Sequence, residues 1–223
     1  MPQIALESEK DEEMFWNILN ERLDLCFEAL MCRHHSLLGT NSDISPIHWQ
    51  NGAIARLAQG EKIDRYLKNG YSALMLGYIG LYETVKHMTG YSQLDQEGME
   101  FSISIMKKLK DTCDRWCEET GLAFNLYATE SYSIGKILVD SDYERYGKIK
   151  DITDKESYTD SYHISSKENI SYAEKIDVEK MLEAYSTGGK VSIINIEKDL
   201  EKIKDVINVA KDNIVYLKLK LRG

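Results

Sequence analysis

The chain has 223 residues, a net charge of −9, 43% hydrophobic residues and 29% charged residues. That length can bury a sizeable core as one domain or a tightly coupled pair, and the acidic balance argues against the basic stripe of a nucleic-acid-coating surface. No run of ~18 apolar residues is present to span a bilayer, and the acidic start lacks the layout of a secretion leader. The expected setting is therefore cytoplasmic, with neither a nucleic-acid nor a membrane partner.

Taken in chain order, the first strong element is a helix from Asp11 to Ser36, with Phe15, Ile18, Leu19, Leu23, Cys26 and Leu30 at helical spacing. Glu12 and Glu13 suit its first turn, Ser8 and Asp11 form a capping pair, and His34-His35 closes it. A polar loop from Thr40 to Trp49 contains Pro46, and short helical stretches follow over 53–57 and 61–67. Tyr71–Tyr78 is an apolar run between Gly70 and Gly77 that reads as a strand covered on both faces. Leu81–Met88 is a helix stopped by Gly90. A long helix from Asp95 to Glu119 sets Met99, Ile103, Met106, Leu109, Cys113, Trp116 and Cys117 on one side, with Gly121 as its stop. Leu122–Tyr127 is a second strand, leading into Thr129-Glu130-Ser131. Over 140–174 the periodicity fades into loop, with an extended piece at Tyr158–His163. After Gly188-Gly189, Val191–Ile196 is strand-like. A helix marked by Leu200, Ile203, Val206, Ile207 and Ala210 follows, and Val215, Leu217, Leu219 and Leu221 alternate as a last strand. Strand, helix, strand with short joints predicts parallel pairing, so the fold class is α/β.

Chemistry-bearing patterns are sparse. Cys26, Cys32, Cys113 and Cys117 form no C-x-x-C pair and sit in helical segments, which favours buried thiols over a zinc or iron–sulfur site. The histidines (34, 35, 48, 87 and 163) form no metal-binding pair. Asp160, Ser161 and His163 supply the residue types of a triad, but they are so close on an extended segment that they face different ways. Gly77 and Gly80 at a strand-to-helix joint either admit a ligand to the backbone or serve a turn that needs small residues. Glu83 follows that joint on the first helical turn, at the strand ends where α/β sites open, and favourable placement at a helix start is the stronger reading.

Several blocks carry a family resemblance. Gly77-Tyr78-Ile79-Gly80-Leu81-Tyr82-Glu83 resembles a segment of the anaerobic (class III) ribonucleoside-triphosphate reductases. Further blocks match in order: Pro2-Gln3-Ile4-Ala5, similar to the tail of that family's N-L-P-x-I-A strand; Arg22-Leu23-Asp24-Leu25; Ser45-Pro46-Ile47-His48-Trp49-Gln50; Gly52-Ala53-Ile54-Ala55-Arg56-Leu57; and Phe124-Asn125-Leu126-Tyr127-Ala128-Thr129. Tyr158-Thr159-Asp160-Ser161-Tyr162-His163 is similar to its YTNSYH, with Asp160 in place of asparagine. Residues 1–130 are closely family-like and 131–223 diverged.

The resemblance implies one partial domain over 1–223, a piece of the ten-stranded α/β barrel of glycyl-radical enzymes. The family reduces ribonucleoside triphosphates at the ribose 2′ position, using a glycyl radical installed by an iron–sulfur, S-adenosylmethionine-dependent activase. Its radical cysteines, its R-x-x-G-Y glycine and its four-cysteine zinc site fall outside the matching stretch, and Gly223 is not read as the radical glycine. No catalytic residue, metal ligand or cofactor is expected here. The candidate substrate-binding residues are Thr129, Glu130 and Ser131, at the position of the family's T-P-A-E-S phosphate loop but without its proline and alanine, together with Gly77 and Gly80. Helix capping is the competing role for 129–131. The expected function is a fragment of the reductase, inactive alone, whose partners are the missing reductase segments or a homologous reductase chain, with a ribonucleoside triphosphate as candidate ligand. The alternative is a non-catalytic nucleotide-binding or regulatory relative.

Overall fold

Helical spacing in the first quarter of the chain builds two helices. The computed structural model describes residues 1–128 and 130–222, the side chain of Arg222 excepted. Helix α1 spans Pro2–Glu7 and α2 spans Glu12–Leu37. The strand tail expected at Pro2–Ala5 is thus helical, because proline at the first helical position forfeits only an amide that has no partner there anyway. Asp11 caps α2 alone, its carboxylate accepting from Met14 N–H at 2.8 Å, while the Ser8 hydroxyl turns back to Ala5 O.

Between α2 and the first strand, only α3 (Pro46–Trp49) and single 3₁₀ turns at Ser42–Ile44 and Asp64–Tyr66 are regular. The helices expected over 53–57 and 61–67 do not form. Four apolar residues, Ala55, Leu57, Ile63 and Leu67, bury a small satellite core without helical periodicity.

Strand β1 (Ala73–Tyr78) then pairs in parallel with β2 (Ala123–Ala128), with Gly77 opposite Tyr127 and Tyr78 opposite Ala128. Two helices connect them, α4 (Leu81–Thr89) and α5 (Gln96–Thr120), and each ends on a glycine in the left-handed region, Gly90 and Gly121. The α5 face carrying Ile105, Met106, Leu109, Cys113 and Trp116 is sealed against Phe15, Leu19 and Leu23 of α2 and against both strands. Burial of each such large side chain contributes about 1.5–3 kcal/mol. β1 is not covered on both faces: Met75 is 43% exposed and Gly77 is open.

Past β2, α6 (Tyr132–Tyr146) and α7 (Tyr172–Glu183) take only the two ends of the 140–174 stretch expected to be loop, and residues 147–171 between them hold no helix or strand. The extended piece at 158–163 survives as one antiparallel bridge, Asp160 to Ile79. Strands β3 (Ser192–Glu197) and β4 (Leu217–Arg222) flank α8 (Leu200–Ala210) and pair in parallel, as the βαβ pattern predicts. Gly188 N–H donates to Leu126 O at 2.8 Å and Ala128 N–H to Gly189 O at 3.0 Å, so the lead-in to β3 runs beside β2. A Cβ on Gly188 would lie 2.8 Å from Met75 Sδ, which is why the approach needs glycine. The result is a parallel series in chain order, β1, β2, β3, β4, splayed between the middle two. Among the described residues, no strand pairs with the outer edge of β1 or of β4.

Candidate functional site

The C-terminal ends of β1 and β2 collect the residues singled out from the sequence. Gly80 sits at φ +79° as β1 turns into α4, a conformation costly to other residues. A Cβ there would fall 2.3 Å from Pro2 Cγ. Its amide is also taken, donating to Thr159 O at 2.8 Å. Gly80 therefore serves the turn and the approach of α1 and offers no open backbone to a ligand. Gly77 is open, and it lines a largely apolar cavity of about 400 Å³ with Leu76, Cys26, Ile134, Leu138 and Asp142. Burial pushes the Cys26 thiol up, so it stays protonated.

On the β2 side, Thr129 lies outside the described residues, as does Gly223 at the far end. The Glu130 carboxylate accepts from Lys218 Nζ at 2.7 and 2.8 Å, with Lys220 Nζ at 3.5 Å. The Lys218 hydrogen bond, aided by the charges of both lysines, holds it below the usual carboxylate range. Ser131 is the N-cap of α6: its hydroxyl accepts from Ile134 N–H at 3.4 Å. Its own amide donates to Asp160 Oδ1 at 3.0 Å. The loop is thus engaged from two sides, by β4 lysines and by Asp160.

A strap over residues 155–165 crosses these strand ends, gripped by one buried carboxylate from each of three helices. From α4, fully buried Glu83 accepts from Thr159 N–H at 3.1 Å, from the Thr159 hydroxyl at 2.7 Å and from Lys155 Nζ at 2.5 Å. From α6, Asp142 accepts from the Tyr158 hydroxyl at 2.7 Å. Burial raises the Asp142 carboxyl above its ordinary value, partly offset by that bond. From α7, Glu179 accepts from Ile164 N–H at 2.9 Å, pairs with Lys175 and stands 3.1 Å from His163 Nδ1. Burial alone would raise Glu179, but His163 and Lys175 together outweigh it and hold it low.

Asp160 and His163 therefore turn to different partners, Ser131 and Glu179, and no triad forms. A wide cleft of about 910 Å³ opens beside the strap, lined by Tyr132, Thr159, His163, Lys175, Asn195 and Lys220 among others. Cys113 is buried on α5, its thiol pushed up to about 12 by burial. The Cys117 sulfur accepts from Phe124 N–H at 3.1 Å. Among the described residues, no group of three or more His, Cys, Asp or Glu could hold a metal ion, and no helix is long and apolar enough to cross a membrane.

Of the residues singled out from the sequence, Gly77, Gly80, Glu130 and Ser131 lie together at the C-terminal ends of β1 and β2. Sequence reasoning missed Lys155, Asp142, Glu179 and the grip of Asp160 on Ser131. These contacts join residues 15 to 72 positions apart, and no local periodicity encodes them.

Comparison with known proteins agrees with this architecture. The family model for anaerobic ribonucleoside-triphosphate reductase matches residues 1–221. The reductase of Enterobacteria phage T4 is 37% identical over 224 residues, covering 97% of this chain and 36% of the phage protein. The Escherichia coli (strain K12) enzyme is 33% identical, covering 97% of this chain and 31% of its own length. Among solved structures, the anaerobic ribonucleotide reductase of Thermotoga maritima with glycerol in the active site is similar at a TM-score of 0.72 and 20% identity, covering 98% of this chain and 34% of that one. The Thermotoga maritima enzyme in complex with dATP and CTP gives 0.71 at 19% identity, with 98% and 35% covered. The chain belongs to the anaerobic ribonucleoside-triphosphate reductase family and spans about a third of the length of the relatives it matches.

Proposed function

We propose that residues 1–223 act as one partial barrel domain of an anaerobic ribonucleoside-triphosphate reductase. This domain supplies a wall of the substrate chamber and is inactive alone. One observation carries the reading: a chain matched over 97% of its length covers only 31–36% of its full-length relatives, and its parallel strands have unpaired outer edges among the described residues. An open edge is a template for another strand. The occupant of the β1 edge and of the apolar cavity beside it is the remaining part of a reductase.

The glycyl radical that the family implies would lie in that remaining part and would supply the reducing chemistry at the ribose 2′ position; this chain's residues position and enclose. With the Ser131 amide already given to Asp160 and its hydroxyl oxygen to Ile134 N–H, a triphosphate would meet the Ser131 hydroxyl hydrogen and the first-turn amides of α6. Lys218 and Lys220 neutralise Glu130, which would otherwise repel it. Deoxyribonucleotide supply for DNA replication, in the cytoplasm, is the role that follows.

The test is anaerobic turnover. The purified chain should form no deoxyribonucleotide from any ribonucleoside triphosphate. Co-expression with the complementary two thirds of a reductase and its activase should give a stable complex and product. Turnover by the chain alone, or no association with the complement, overturns the reading. The diverged loop at 129–131 favours the second reading, a non-catalytic nucleotide-binding relative. Tight nucleotide binding by the isolated chain would select it.

A further inference from the structure

Glu83, like Glu179, has no exposed surface, and its hydrogen-bond partners lie on the strap: Thr159 through both N–H and hydroxyl, and Lys155. A carboxylate in the first turn of a helix could simply face solvent and complement the helix dipole. This one instead turns inward to reach residues 72 and 76 positions away. The contact it fixes is continued along the strap. Thr159 O accepts from Gly80 N–H at 2.8 Å, locking the strap to the turn that carries Glu83. The next residue, Asp160, bridges Ile79 and reaches across with its side chain to Ser131 N–H at 3.0 Å. Asp160 thus ties the β1 end to the loop between β2 and α6. It can do so only while its backbone is held where Glu83 holds Thr159.

We propose that Glu83 is a positioning residue that acts through Thr159 and Asp160 to set the Ser131 amide, and with it the loop between β2 and α6. The value of that loop to catalysis rests on the reading above, in which it meets the substrate's phosphates. The linkage itself does not depend on that reading. It differs from bland helix-dipole pairing, because pairing predicts effects on α4 alone. It also gives Asp160 a definite role: an acceptor oxygen is required, whereas its charge is not.

Hydrogen–deuterium exchange on the full chain tests the linkage without a ligand. In Glu83→Ala, exchange at Ser131 and Thr159 should rise ~10-fold or more, as expected for loss of a charge-assisted hydrogen bond. The amides of α5 and β2 should stay within ~2-fold of wild type, as expected if the opening is local rather than global. Thr159→Val and Asp160→Ala carry the same test from the other end if Glu83→Ala does not fold, and Asp160→Asn, which retains an acceptor, should restore protection at Ser131. Unchanged exchange at Ser131 in Asp160→Ala or Thr159→Val, or a rise confined to α4 in Glu83→Ala, overturns the proposal. In the assembled enzyme, Asp160→Ala should raise KM for the ribonucleoside triphosphate while kcat holds. Altered exchange with unchanged KM sustains the linkage and removes the phosphate-loop reading on which its catalytic value rests.

Discussion

At the scale of single residues, the strand ends are held by glycine geometry and by buried carboxylates. Gly80→Ala should destabilise the chain by about 2 kcal/mol or more, since a left-handed alanine costs about 1 kcal/mol or more and its methyl would overlap Pro2. Urea melts of the two proteins check this, and an unchanged midpoint would refute the packing of α1 on that turn. Asp142 makes the opposite kind of prediction. Its folded-state value lies above its ordinary 3.8, chiefly through burial. The stability it lends is complete below the unfolded value and is lost as pH rises through the folded value. At pH 7 the buried charge is therefore a cost. Asp142→Asn keeps an acceptor for Tyr158 and should raise Tm by roughly 2–4 °C at pH 7, the gain shrinking towards pH 3. Thermal melts at both pH values decide the sign. The glycine joint was legible because residue type and position alone marked it, and position also marked Glu83, but as a helix-start carboxylate and not as the buried acceptor of Thr159 and Lys155. Asp142 was not legible, because its meaning depends on Tyr158 arriving from 16 residues away.

At the scale of elements, legibility followed whether burial matched hydrophobicity. Helices α2, α5 and α8 bury apolar stripes at helical spacing and were readable, as was α4 between its two glycines. Helix α6 reverses the rule: Ile134, Ile137 and Leu138 are exposed while Gly135, Val139 and Asp142 are buried, so a search for a buried apolar face finds none. Helix α7 hides two glutamates, Glu179 and Glu183, in the stripe that also buries Ile176 and Leu182. Those glutamates break the apolar pattern, and the structure repays them with partners. Removing Glu179 should therefore be severe. Glu179→Ala leaves His163, Lys175 and the Ile164 amide without their shared acceptor, at a cost of about 3–5 kcal/mol. Its folded value is depressed below the ordinary 4.5, so its stabilisation is present above that value and fades as pH falls through the lower one. Acid-unfolding curves should show this segment of pH dependence in wild type and lack it in Glu179→Ala. The failed helices over 53–57 and 61–67 teach the converse: short apolar spacing without caps closed into a loop-built satellite core instead.

At the scale of the whole molecule, the colinear motif blocks pointed to a reductase and to a parallel α/β arrangement, and the family match and strand register agree. What motifs could not convey is how the exposed side of α6 relates to the open strand edge. Ile134 and Leu138 are one helical turn apart, and both line the cavity that also holds Gly77 of β1. They are 49% and 37% exposed, an apolar surface with no covering element among the described residues. If the remaining part of the reductase seats there, charge on that stripe should block assembly without harming the monomer. The Ile134→Lys, Leu138→Lys double variant should keep its unfolding free energy within ~1 kcal/mol of wild type, as befits substitutions whose side chains can extend into solvent. It should nevertheless lose at least ~100-fold in affinity for the complementary polypeptide, because a buried unpaired ammonium costs several kcal/mol. Analytical ultracentrifugation of the mixed segments, with circular-dichroism melts of the variant alone, measures both quantities. Normal assembly by the double variant would move the companion's seat to the outer edge of β4 instead.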